Sequence, residues 1–254
     1  LFTYAAEPDC DDELVIDGVL FARSAGSFPP KFWDSYKNER RQEMGATQGR
    51  IIARGDHSAV TLMARMIQHL AENSGLAPYL NNPAPIHIRF VQNEETLSLP
   101  ESRISHGVLT INQEMIDILQ TDDELAALAA DALLRHALAH DLLMAKPDTM
   151  VSRLINAVRR TEPPDFDQEV RLALPMVLRN AGHTPWAFVV LQNNILNHNV
   201  KFGERVFPVS EAEELHRDTE LMIARLKALR IRHPARRPGS VMLEHLKALL
   251  RGED

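Results

Sequence analysis

The chain has 254 residues and 44% hydrophobic composition, enough for one sizeable core or a core with a small lobe, and this argues against two equal domains. A formal charge of -7 argues against nucleic acid or an anionic membrane face as the main partner. No apolar run approaches the roughly 18 residues that cross a bilayer, so the expectation is a soluble chain without a transmembrane segment, and the lone Cys10 excludes an intrachain disulfide.

Residues 1–55 form an N-terminal extension in this reading, with a short strand or hairpin at 15–21 and a helix break at Ser27-Phe28-Pro29-Pro30. The charge run Lys37-Asn38-Glu39-Arg40-Arg41-Gln42-Glu43 is a solvated helix face, with a protein-docking arm as the alternative. Residues 56–72 spell an amphipathic helix capped by Asp56 and stopped by Gly75, with Val60, Met63, Ile67 and Leu70 on one stripe. Residues 85–91 alternate apolar and polar side chains and predict a strand on which His87 is exposed. With 97–99 and 108–111 they make a small sheet, and 112–119 is a short helix.

A long helix follows over 121–143, TDDELAALAADALLRHALAHDLL, with a polar cap at Thr121 and Asp122, acids in the first turn and neither Gly nor Pro. At about 100° per residue its leucines fall almost all the way round, the pattern of a helix buried on every side. A turn at 146–148, a helix at 150–160 and a break at Glu162-Pro163-Pro164 come next. Helices at 168–179 and 186–197 flank a turn; Trp186 and Phe188 are core, and His183 and His198 are solvated. The helix at 210–229 places acids first and bases last, and 241–250 packs Leu243, Leu246 and Leu250 on one face.

In the long helix the polar residues Asp131, Arg135, His136 and His140 each require a reason. His136-Ala137-Leu138-Ala139-His140 sets two imidazoles four residues apart on one helical face, the spacing of the zinc motif H-E-x-x-H. Ala137 stands where that motif has its glutamate, so no carboxylate is present to take a proton from zinc-bound water.

Asp123-Glu124-Leu125-Ala126-Ala127 with the residues that follow resembles the central helix of zinc metallopeptidases of the HtpX and CAAX-prenyl-protease type, the gluzincins. There an E-D-E-L-A-A-x-L-A run leads into H-E-x-x-H and on to a further His. Three other places are similar in order and spacing. Leu97-Ser98-Leu99-Pro100 with 103–111 matches the strand region, Ser210 through Asp218 matches the helix S-x-x-x-E-x-x-A-D, and 238–250 matches the terminal helix. Arg217 departs from the small residue usual in the second helix. The resemblance implies an α+β, mainly helical fold, a gluzincin-like domain at 56–254 with a small β-sheet and two long core helices. In the family the sheet edge receives substrate as an added strand.

Aligned without a gap, the resemblance lays the metal motif on Asp131-Ala132-Leu133-Leu134-Arg135, with Glu214 as the third-ligand position and Asp218 as the bracing acid. Both imidazoles and the catalytic Glu are then missing, and Arg135 is expected to pair with Asp131 and with Glu214 or Asp218, an organic cation in place of the metal. This degenerate site, Asp131, Ala132, Arg135, Glu214 and Asp218, implies a pseudo-peptidase with no catalytic residue and no cofactor, acting through a peptide or protein partner rather than nucleic acid. The alternative register, five residues or about 140° away, makes His136, His140 and Glu214 zinc ligands of an endopeptidase silenced at Ala137. A Ser-His-Asp hydrolase is weaker still, since the chain has no G-x-S-x-G elbow. By resemblance the compartment is periplasmic or membrane-peripheral; oligomeric state is open.

Overall fold

A computed structural model of the chain describes residues 30–45, 49–75, 86–92, 100–137, 166–201, 209–232 and 240–253. The expected elements at 15–21, 97–99, 138–143, 146–148, 150–160 and 162–164 lie outside them. The described part is α+β and mainly helical: α1 (Pro30–Gly45), β1 (Arg50–Arg54), α2 (Ser58–Asn73), β2 (His87–Gln92), β3 (Ser102–Ser105), β4 (Val108–Asn112), α3 (Gln113–Ile118), α4 (Asp122–Ala137), α5 (Phe166–Asn180), α6 (Ala187–Lys201), α7 (Val209–Ala228) and α8 (Val241–Arg251). Residues 30–54, read from sequence as part of an extension, thus supply a helix and a strand, and β1 is hydrogen-bonded into the sheet.

The strand order is β1-β2-β4-β3, with β2 and β4 parallel and the outer pairs antiparallel. Period-two alternation gives the sheet two faces. Ile88, Phe90, Leu109 and Ile111 are buried on one, in the same core as the buried faces of α2, α3 and α4. The opposite face carries Arg54, Arg89, Thr110 and Arg103 in one row across the four strands, since each is the registered partner of the next. The expected alternation of exposure along β2 is therefore absent: Ile88 through Val91 are all buried. Arg89 is covered by α1, where it donates to the Glu43 carbonyl at 2.9 Å, while its Nε donates to Thr110 Oγ1 at 2.7 Å. His87 is exposed, as its place at the end of the strand predicts.

β3 and β4 meet in a two-residue hairpin whose central residues, His106 and Gly107, both have positive φ, 48° and 75°. That is the conformation whose twist matches the flanking strands. At the start of α4 Thr121 is the cap, its Oγ1 accepting from Glu124 N at 3.3 Å, while Glu124 Oε2 accepts from Gln120 N, one residue before the cap, at 2.9 Å. In α2 the cap is His57, whose Nδ1 accepts from Ala59 N at 3.1 Å, rather than the expected Asp56 one residue earlier. An imidazole nitrogen reaches the first turn as a carboxylate does. Met63 and Leu70 are fully buried, with Ile67 beside them and Val60 at the margin.

Core helix α4 is buried on almost every side, from Asp123 through Ala130. It packs on α2, α5 and α6 and against β3, while α7 packs on α6 and α5. Trp186 is buried just before α6 with Val189, Met222 and Leu226, and its indole N–H donates to the Ile231 carbonyl at 3.2 Å. Ser240 caps α8 together with Asp122 of α4, whose Oδ1 accepts from Leu243 N at 2.8 Å. Leu243, Leu246 and Leu249 are the buried positions of α8, and Leu250 packs at the margin.

Candidate functional site

Successive residues of α4 turn by about 100°, which brings Glu124, Asp131 and Arg135 onto one flank and turns His136 about 140° away from Asp131. The first flank looks toward α6, because Asn194 of α6 donates to Glu124 Oε2 at 2.9 Å. Here Arg135 Nε donates to Asp131 Oδ2 at 2.9 Å, the contact that i,i+4 spacing on a helix expects, and the two side chains keep about a fifth of their surface exposed (21% and 22%). Ala132 between them is buried.

Asp218 lies on α7 and is 4% exposed. Its carboxylate is held in a two-pronged pair by Arg171 of α5, Nη1 to Oδ1 and Nη2 to Oδ2, both at 2.7 Å. Arg171 belongs to no motif in the chain and stands 47 residues away from its partner. At the next residue after Asp218, Thr219 Oγ1 donates to Gln192 Oε1 at 3.0 Å and ties α7 to α6. Glu214 belongs to α7, but its side chain lies outside the described residues.

On the other flank His136 is 5% exposed. A β-carbon built on Gly107 would collide with the Arg40 guanidinium and lie 3.3 Å from His136 Cε1, so hairpin tip, arginine and imidazole meet at one point. Arg40, taken from sequence as part of a solvated run, is buried and donates through Nε to the His106 carbonyl at 2.8 Å. Beside it Glu39 pairs with His106 Nε2 at 2.7 Å, and Ser105 Oγ donates to Glu43 Oε2 at 3.3 Å. A fixed guanidinium next to His136 opposes the approach of a dication. His140 lies outside the described residues, so of the His136, His140 and Glu214 set only the first has a described side chain, and it faces a cation. Among the described residues no three His, Cys, Asp or Glu side chains cluster as metal ligands would.

A second buried pair was not foreseen. His183, expected to be solvated, places Nδ1 2.8 Å from Asp123 Oδ1, with only 15% and 12% of the two side chains exposed. The helix-ending turn at Gly182, with φ of 83°, directs it there, since His183 N donates back to the Leu178 carbonyl. His69 stacks edge-on to the His183 ring at 5.8 Å.

Electrostatics distinguishes the two flanks. Burial raises the Glu124 carboxyl above its ordinary range, opposed by hydrogen bonds from Gln120, Thr121 and Asn194 and by Lys247. Burial also lowers the Arg89 guanidinium, with Glu43 opposing and Arg103 adding to the shift. Arg103 is exposed on β3, one of the two edge strands among the described residues. No known family model matches the chain, and no curated protein matches it significantly.

Proposed function

We propose that the chain is a catalytically degenerate, metallopeptidase-like protein that binds an extended peptide or protein segment at the β3 edge of its sheet, which no described strand covers, and does not hydrolyse it. The observation that carries this reading is the position of β3, an edge strand lying directly against α4. Alternation along an antiparallel ladder sends every second backbone pair outward. Asn112 N donates to the Glu101 carbonyl, so residues 101, 103 and 105 bond to β4, and the N–H and C=O groups of Ser102 and Ile104 point away from the sheet. A strand laid there acquires backbone bonds independent of its sequence.

The loss of catalysis rests on the resemblance of α4 to the metallopeptidase helix and on what fills its flanks. Asp131 and Arg135 pair with each other where the ungapped alignment puts the metal motif, and His136 is turned toward Arg40 and Gly107. Zinc, in the other register, would supply Lewis-acid activation of water; Ala137 leaves that water without a base. The test uses full-length protein purified without chelator. Metal analysis by mass spectrometry is expected to find no stoichiometric zinc, and the Ala137→Glu variant to leave unfolded substrates uncut. Extended peptide probes bind the native protein and fail to bind Ser102→Pro, which removes one outward N–H while leaving the β4 ladder intact. Near-stoichiometric zinc that is lost in His136→Ala would overturn the reading.

A further inference from the structure

We infer that the β3 edge selects an acidic segment, with Arg103 as the specificity-determining residue; this rests on the strand-addition reading above. Arg103 lies on the polar face of the sheet, in the row Arg54, Arg89, Thr110, Arg103. Adjacent strands are about 4.8 Å apart, so the row is a positive band roughly 14 Å long. At its centre Arg89 is matched, by Glu43 of α1 at 3.6 Å. At its β3 end Arg103 is exposed and makes no ion pair among the described residues. Glu43, an acid of α1 over that face, is already engaged by Arg89 and Ser105.

Strand geometry decides what Arg103 would meet. An antiparallel strand added at β3 bonds to Ser102 and Ile104, and the residue opposite Arg103 then falls in the closely spaced, non-hydrogen-bonded position, with Cα atoms about 4.5 Å apart. Side chains in that position interact most strongly, and opposite charges directly across are favourable. A glutamate there pairs with the exposed end of the positive band, whereas a lysine adds to the repulsion between Arg103 and Arg89 already felt by Arg89. A nucleic acid strand would bring many phosphates to a face that also carries Glu39, Glu43 and Glu101, on a chain of net charge -7, so a peptide is the better match.

The experiment measures fluorescence anisotropy of labelled peptides of about seven residues with the full chain at low ionic strength. Glu alternates with Thr in one probe, Gln with Thr in a second and Lys with Thr in a third; a backbone N-methylated acidic probe and a single-stranded oligonucleotide complete the set. The acidic probe is expected to bind about fivefold more tightly than the Gln probe, as a single exposed charge pair allows. That preference shrinks with salt, disappears in Arg103→Gln and shifts to the Lys probe in Arg103→Glu. Ser102→Pro and N-methylation abolish binding of either probe. Equal binding of the acidic and Gln probes overturns the charge selection while leaving strand addition standing. Failure of all three peptides removes both readings. Oligonucleotide binding as tight as that of the acidic probe and indifferent to Ser102→Pro assigns the band to nucleic acid and overturns the inference.

Discussion

Two flanks of the same helix are closed by different chemistry. Toward α6, α4 belongs to a layer in which side chain meets side chain: Glu124 with Asn194, Arg171 with Asp218, Thr219 with Gln192. Toward the hairpin, a buried side chain reaches backbone, Arg40 to the His106 carbonyl, beside a glycine that leaves no room for a β-carbon, with Glu39 on His106 and Ser105 on Glu43 next to it. The helical flank therefore depends on matched polar groups and the hairpin flank on one backbone conformation. Substitutions that separate these two dependences give effects of different size and kind.

The largest effect is expected in the helical layer. Arg171→Ala leaves the Asp218 carboxylate, 4% exposed, without its two-pronged partner, and should cost about 3 kcal/mol by the measure of broken buried pairs. Urea unfolding checks it. Asp218→Asn should be milder, because the arginine left behind has 23% of its side chain at the surface and can turn to water. Equal losses would mean that the pair is not the source of the stability.

On the hairpin side, Gly107→Ala forces an L side chain into a φ of 75° and drives its methyl into the Arg40 guanidinium. Strain of this kind amounts to about 2 kcal/mol, and relief comes most readily by moving Arg40 off the His106 carbonyl. Hydrogen exchange should then speed up across 37–45 with little change in α6 and α7. A uniform acceleration through both flanks would erase the distinction between them.

Glu124 provides a pH test on the helical flank alone. Its folded value lies above the ordinary 4.5, so the native state takes up the proton more readily than the unfolded chain does. The resulting stabilisation is fully present below about 4.5 and is lost as pH rises through the folded value, leaving a charged group in a buried site. Glu124→Gln keeps an acceptor for Gln120 N and Asn194 and removes the titration, so its stability relative to the parent should improve steadily from acid to neutral pH. Parallel profiles would show that burial does not penalise the charge. Glu124→Ala strands both donors and should cost about 1.5 kcal/mol at any pH in that range.

How far each flank was legible follows from the same contrast. The polar cap at Thr121, the all-round leucines of α4 and the Asp131–Arg135 spacing are local patterns, and local patterns survive into the structure. So do the stripe of α2 and the strand at β2. What escaped were contacts made across long sequence separations. Arg40 sits in a run that reads as solvated, yet its partner is 66 residues away. His183 looks like a turn residue until Asp123, 60 residues earlier, is placed beside it. The hairpin lacks the usual Asn-Gly signal, since His106 takes the left-handed position that Asn more often fills, and neither α1 nor the pairing of β1 with β2 has a sequence motif. At the candidate site the acid and the arginine on α4 were readable; Arg171 as the partner of Asp218, and Arg103 at the edge, were not.

The smallest effect is the one that bears most on function. An exposed i,i+4 pair is worth about 0.5 kcal/mol, and Asp131 and Arg135 have roughly a fifth of their side chains exposed. Asp131 also has Oδ1 buried without a hydrogen-bond partner among the described residues, so its charge leans on the guanidinium more than a surface acid would. If Arg135 stands in for a lost metal, a double-mutant cycle with Asp131→Ala and Arg135→Leu should give a coupling of about 1 kcal/mol, with the double variant more stable than Arg135→Leu alone because no orphaned carboxylate remains. A coupling of about 0.3 kcal/mol or less, the level of ordinary additivity error, would make the pair a solvated helix contact like any other. In that case nothing about α4 would favour the ungapped alignment except the direction in which His136 points.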